Sequence, residues 1–154
     1  MAKYRGGVIG LGWMGLLYDL AKRIPDRFDI DDVDRPTPAL DVDRKFHYYE
    51  NPGVAWVPTS YTEAIVDRPE IDLVAAADRD KKRLKAFSKR YDINTVYTDA
   101  YEMLRKEKLD IVAIPPNTKG RADLVCAAVE NGDKGILTDK PMCHSLDEAD
   151  RMVK

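Results

Sequence analysis

Three glycines fall within six residues at Gly10-Leu11-Gly12-Trp13-Met14-Gly15, directly behind the short apolar run Gly7-Val8-Ile9. The run reads as a strand, and Trp13, Met14, Leu16, Leu17 and Leu20 supply the apolar positions of a helix behind it. A G-x-G-x-x-G spacing between strand and helix is the turn that wraps a pyrophosphate. Gly10 permits the tight turn, Gly12 lets the backbone approach the phosphates, and Gly15 lets helix and strand pack closely. The anion then rests on N–H groups at the positive end of the helix dipole. The three glycines, with Trp13 and Met14 between them, are therefore candidate cofactor-binding residues.

Further along, apolar runs alternate with helical patterns. Ile71-Asp72-Leu73-Val74-Ala75-Ala76-Ala77 is nearly continuous, as expected of a strand buried on both faces of a parallel sheet. Residues 80–91 follow as a helix, with Asp80 as N-cap and Leu84, Phe87 and Tyr91 along one stripe. Thr95-Val96-Tyr97 reads as a short strand, and Thr98 or Asp99 caps a helix carrying Tyr101, Met103 and Leu104. The next strand is Asp110-Ile111-Val112-Ala113-Ile114, stopped by Pro115-Pro116, which cannot continue a ladder. Residues 119–131 are helical with Ala122, Val125, Cys126 and Val129 inward, and Gly132 ends them. Gly135-Ile136-Leu137-Thr138 is a further strand. Such alternation implies right-handed crossovers and an α/β doubly wound parallel sheet in one domain over residues 1–154. Ligands of these sheets bind beyond the carboxyl ends of the strands. The glycine loop, Asp78 and Pro115-Pro116-Asn117 all fall there.

Two places break the pattern. More than fifty residues separate Gly15 from the strand at Ile71, where a compact unit uses one helix. The acidic stretch from Asp26 to Pro36, with Pro38, Pro52 and Pro58, predicts an inserted irregular excursion at about residues 21–59. Its aspartates lack the glycine and glutamate spacing of a calcium loop, so no metal site is expected. A helix resumes at Ser60–Val66, where Ser60 and Glu63 fit a capping box. The other break is the end. Ser145 and Glu148 form a second capping box, Leu146, Ala149, Met152 and Val153 begin an apolar stripe, and the chain stops at Lys154 without a cap or breaker. The expectation is a cut inside a longer protein.

Composition narrows the class. Twenty-five basic against 27 acidic side chains, with no long basic run, argue against nucleic acid or an anionic membrane as partner. No stretch reaches membrane-spanning length, and the start runs straight into the first strand with no room for a signal peptide. Cys126 and Cys143 sit in unrelated contexts, which predicts reduced thiols in a cytoplasmic chain.

Asp78, just after the second strand, is placed to accept hydrogen bonds from an adenosine ribose, although more than sixty residues lie between it and Gly15 where about 20 is usual. Arg79 can contact a 2′-phosphate or stack on adenine. Together they leave NAD or NADP open, with NAD favoured. In Asp139-Lys140-Pro141 a lysine at a strand's carboxyl end stands between a carboxylate and a rigid proline. Its ammonium can donate to a substrate oxygen and exchange a proton with it. His47 and His144, the two histidines, are weaker acid–base candidates.

Taken together, Gly10-Leu11-Gly12-Trp13-Met14-Gly15, Ala77-Asp78-Arg79, Pro116-Asn117 and Asp139-Lys140-Pro141-Met142 resemble the amino-terminal domain of the Gfo/Idh/MocA oxidoreductases. The resemblance implies a Rossmann domain that binds NAD(P), followed by a separate α/β substrate domain that is absent from this chain. It implies a hydride transfer between nicotinamide and a sugar, polyol or related hydroxy compound, in a homo-oligomer. Lys140 matches the lysine of the family's Glu-Lys-Pro motif, which takes part in proton transfer, and Asp139 stands for the glutamate. Asn117 matches a Pro-Asn near the nicotinamide, while Gly120 stands where the family often has histidine. The chain alone is expected to turn over little or nothing. Two other classes share the glycine loop: a non-catalytic NAD(P)-sensing or scaffold module, and a methyltransferase-type fold, against which Asp139-Lys140-Pro141 argues.

Overall fold

The structure is a computed structural model and describes residues 3–17 and 60–154. Five strands form one parallel sheet in the order β3-β2-β1-β4-β5: β1 (Tyr4–Ile9), β2 (Ile71–Ala77), β3 (Val96–Tyr97), β4 (Ile111–Ile114) and β5 (Gly135–Thr138). The helices are α1 (Tyr61–Val66), α2 (Lys81–Tyr91), α3 (Ala100–Glu107), α4 (Arg121–Glu130) and α5 (Leu146–Val153).

Strand alternation divides the core into two layers. Val8, Ala76 and Ala113 face α1 and α2, joining Ile65, Leu84, Ala86 and Phe87. Their neighbours Ile9, Ala75, Ala77, Val112 and Ile114 face the other way and pack with Met103, Leu104, Val125 and Ala128 of α3 and α4. A strand whose successive side chains both find a helix layer must be apolar throughout, which is why Ile71–Ala77 shows no polar alternation at its carboxyl half. The sheet is doubly wound, and its switch point lies between β1 and β4.

Local signals set the helix starts. Asp80 Oδ1 accepts from the Lys82 N–H at 2.8 Å, and Ser60 Oγ from the Glu63 N–H at 3.0 Å. Asp99, not Thr98, caps α3, accepting from the Tyr101 N–H at 2.8 Å. Gly132 follows the α4 cap Asn131.

Three expectations change. Behind the glycine loop the chain forms a π-helical turn, Trp13–Leu17, in which the Leu16 and Leu17 N–H groups both donate to the Gly12 carbonyl (2.9 and 3.1 Å). The buried stripe of α4 runs through Arg121, Val125 and Ala128, which leaves Val129 in the last turn 56% exposed and Cys126 half-buried. On α5 only Met152 joins the core, while Leu146 and Val153 are 84% and 76% exposed. The excursion at 21–59, with His47, and Leu20 lie outside the described residues.

Candidate functional site

The loops at the carboxyl ends of β1, β2, β4 and β5 share one edge of the sheet, and the glycine loop is its centre. The Gly10 N–H donates to the Ala77 carbonyl at 2.7 Å, continuing the β1–β2 ladder into the turn. Gly10 has φ +92°, a left-handed conformation that favours glycine. Gly15 comes so close that a Cβ there would stand 1.9 Å from the Gly10 carbonyl oxygen. The Gly15 carbonyl in turn accepts from Thr62 Oγ1, which ties the loop to α1.

Gly12 differs from both. A Cβ there would meet nothing nearer than Arg83 Nη1 at 3.9 Å, so the space above it is open. A cradle closed beneath and open above is what a diphosphate requires, and the residues present fit that group. Trp13 and Met14, half-buried, continue from Gly12 into the turn.

Asp78 sits beside this loop with its side chain 9% exposed. Its Oδ2 accepts from the Leu11 N–H at 2.6 Å and its Oδ1 from the Asp80 N–H at 2.8 Å. The carboxylate thus fastens the glycine loop to the end of β2, one oxygen holding the Leu11 N–H and the other the Asp80 N–H. Arg79 is exposed. Sequence reasoning passed over Arg83, one turn into α2, whose Nη1 lies 3.7 Å from Asp78 Oδ2 and whose Nε lies 3.5 Å from Asp80 Oδ2. The i to i+3 spacing from Asp80 was the available signal.

From β4, Pro116 packs its ring on Gly10, with Cβ 3.0 Å from where a Gly10 Cβ would be. Asn117 is exposed next to it. From β5 come Asp139 and the exposed Lys140, joined to Pro141 by a cis peptide bond. Asp139 Oδ1 accepts from the Lys140 N–H at 2.7 Å. Tyr61 of α1 brings its hydroxyl to the Thr138 carbonyl at 3.3 Å. Burial pushes that phenol up, the Asp139 carboxylate pushes it further, and Arg121 opposes both, so Tyr61 remains a donor at neutral pH.

Arg121 was also missed. It is buried, and its guanidinium donates to the carbonyls of Pro116, Asp139 (2.6 Å) and Pro141. The glycine loop, Asp78 and Pro116 are therefore in direct contact, and the Lys140 turn is linked to them through Arg121. His144 is exposed past that turn, and its backbone N–H donates to Glu148 Oε2 at 2.7 Å.

Comparison with known proteins identifies the family and the fold. The sequence pattern of the Gfo/Idh/MocA oxidoreductases, described as an oxidoreductase family with an NAD-binding Rossmann fold, matches residues 53–154. The chain is 32% identical over 101 residues to D-apiose dehydrogenase of Paraburkholderia graminis, covering 66% of this chain and 27% of that protein. It is 32% identical over 96 residues to D-xylose 1-dehydrogenase (NADP(+)) 2 of Haloferax volcanii, covering 62% and 29%. The fold superposes on apo scyllo-inositol dehydrogenase from Lactobacillus casei with a TM-score of 0.65 at 14% identity, over 99% of this chain and 32% of that one. The chain thus spans between a quarter and a third of the length of the proteins it matches. Its strands and loops are those of an NAD-binding Rossmann domain, and the chain belongs to the Gfo/Idh/MocA oxidoreductase family.

Proposed function

We propose that this chain is the cofactor-binding part of a dehydrogenase that oxidises a carbinol of a sugar or polyol. The observation that carries the reading is the juxtaposition at one sheet edge of an open glycine cradle and a lysine-bearing turn. Relatives named for D-apiose and D-xylose, and a structural neighbour named for scyllo-inositol, point to the same substrate class.

A nicotinamide coenzyme, when bound, supplies the hydride acceptor or donor. Every other task falls to the protein. Gly10 makes the turn, Gly15 lets the helical turn close against it, and the open backbone at Gly12 would receive the diphosphate, with Trp13 and Met14 forming the turn beside it. Asp78 accepts from the ribose hydroxyls while holding the Leu11 N–H. A 2′-phosphate there would face the charges of both Asp78 and Asp80, so NAD is the preferred coenzyme, with Arg79 and Arg83 as the only cations that bear on the choice among the residues named. Pro116 and Asn117 wall the nicotinamide side, and Asp139 fixes the turn from which Lys140 holds and moves the proton of the substrate hydroxyl. The substrate-binding groups of the other wall belong to a second domain, so the present chain binds coenzyme without turning over. The whole enzyme is read as a cytoplasmic homo-oligomer.

Gly12→Ala tests this reading cleanly, because the space above Gly12 is open and the fold has no need of the missing methyl. The melting temperature should move by no more than about 2 °C. The dissociation constant for NAD+, measured by calorimetry, should rise at least about tenfold, which is about 1.4 kcal/mol. Undiminished NAD+ binding in this variant, or no binding by the parent chain at millimolar coenzyme, refutes the assignment.

A further inference from the structure

Two loops carry Asn117 and Lys140, and one side chain joins them. Arg121 opens α4 at 2% exposure. Its Nη1 donates to the Asp139 and Pro141 carbonyls, which flank Lys140, and its Nη2 donates to the Pro116 carbonyl. The backbone is pinned on both sides of Lys140 while the lysine itself stays exposed.

Packing alone does not call for this residue. Ala122, Val125 and Ala128 fill the neighbouring positions of the same buried stripe. A guanidinium here gives up its hydration, has no carboxylate within ion-pair distance among the described residues, and leaves its buried Nε without a partner among them. It also stands in the first turn of a helix, where the macrodipole opposes a cation. An apolar residue would avoid all four costs. What only arginine supplies is a rigid planar fork that reaches carbonyls on two separate loops, where an ammonium's donors all radiate from one nitrogen.

We propose that Arg121 is a positioning residue: it locks the Asp139-Lys140-Pro141 turn against the Pro116-Asn117 loop and so sets where the Lys140 ammonium stands relative to the nicotinamide. This rests on the reading of Lys140 given above. Arg121 acts through the backbone and touches neither coenzyme nor substrate. Lysine in its place is therefore not a conservative change.

The test titrates NADH into the parent protein, R121K, R121M, K140M and the double variant R121M/K140M. Two quantities are read: the dissociation constant, and the fluorescence gain of the nicotinamide on binding. The diphosphate cradle is built on β1, so both Arg121 variants should keep the dissociation constant within about threefold. Their nicotinamide fluorescence gain should fall to about half or less, as should that of K140M. The double variant should fall no further than K140M alone, since the two changes remove one interaction unit. An unchanged gain in R121K and R121M alongside a reduced gain in K140M overturns the inference and leaves the placement of Lys140 standing. An unchanged gain in K140M overturns that placement and the inference with it. If R121M loses its helical circular dichroism, R121K decides; if both unfold, Arg121 is a stability residue and the inference is wrong.

Discussion

Gly120, at the head of α4, is set by its backbone conformation. Its φ is +79°, it precedes α4 as N-cap, and no atom lies within 4 Å of where its Cβ would be. Space would admit a side chain; the left-handed conformation is what penalises one. Gly120→Ala should therefore lower stability by about 1 kcal/mol in denaturant melts, with Gly120→Asn recovering part of the loss. Arg121, the next residue, illustrates what a sequence conceals. A charged residue at a helix start reads as solvated surface, and only the folded chain brings the Pro116, Asp139 and Pro141 carbonyls to it from separate loops. Asp78 was legible as a residue at the end of a strand, but its grip on the Leu11 N–H was not, because the two positions are far apart in sequence.

At the scale of elements, the caps and strands were readable because their causes are local. Gly135–Thr138 and Ile71–Ala77 form the expected strands, and Lys81–Tyr91 starts behind its expected cap. The errors concern which side of a helix finds a partner. Val129 and Leu146 obey the helical period and still face solvent, since burial depends on what lies opposite. The two serine caps should accordingly differ in worth. Ser60 is buried and holds the Glu63 N–H of a helix packed on β1, β2 and the glycine turn. Ser145 is exposed at the head of α5, none of whose residues is fully buried. Ser60→Ala should cost about 1–2 kcal/mol of global stability, whereas Ser145→Ala should cost about 0.5 kcal/mol or less, in chemical denaturation.

Across the whole molecule, the two ends of the sheet do different work. At the amino end Asp110 accepts from the Arg5 N–H at 2.9 Å and from Lys134 Nζ at 2.7 Å, contacts that hold its carboxyl below the usual range, the Arg5 amide contributing most. Asp133 lies close by with neither oxygen hydrogen-bonded among the described residues, and burial, then the Asp110 charge, push it up to about 6. An acid whose pKa rises on folding binds its proton more tightly in the native state. Its presence therefore destabilises above that pKa, and the penalty disappears as the pH falls towards the unfolded value. Asp133→Asn should raise stability at pH 7.5 by about 1 kcal/mol once solvent screening is allowed for, and the gain should fade between pH 6 and about 4. Thermal melts of both proteins across that range provide the check. A gain that persisted unchanged at acid pH would rule out the charge as its cause.

The central strand has a further consequence, one of timing. Tyr4–Ile9 is synthesised before both of the strands that flank it in the middle of the sheet, Ile71–Ala77 and Ile111–Ile114. At about 5–20 residues per second, its second neighbour is synthesised some 5–20 seconds after it. Throughout that interval Val8 and Ile9 have no finished ladder to enter, so the nascent chain carries an apolar segment with one row of backbone N–H and C=O groups still unpaired.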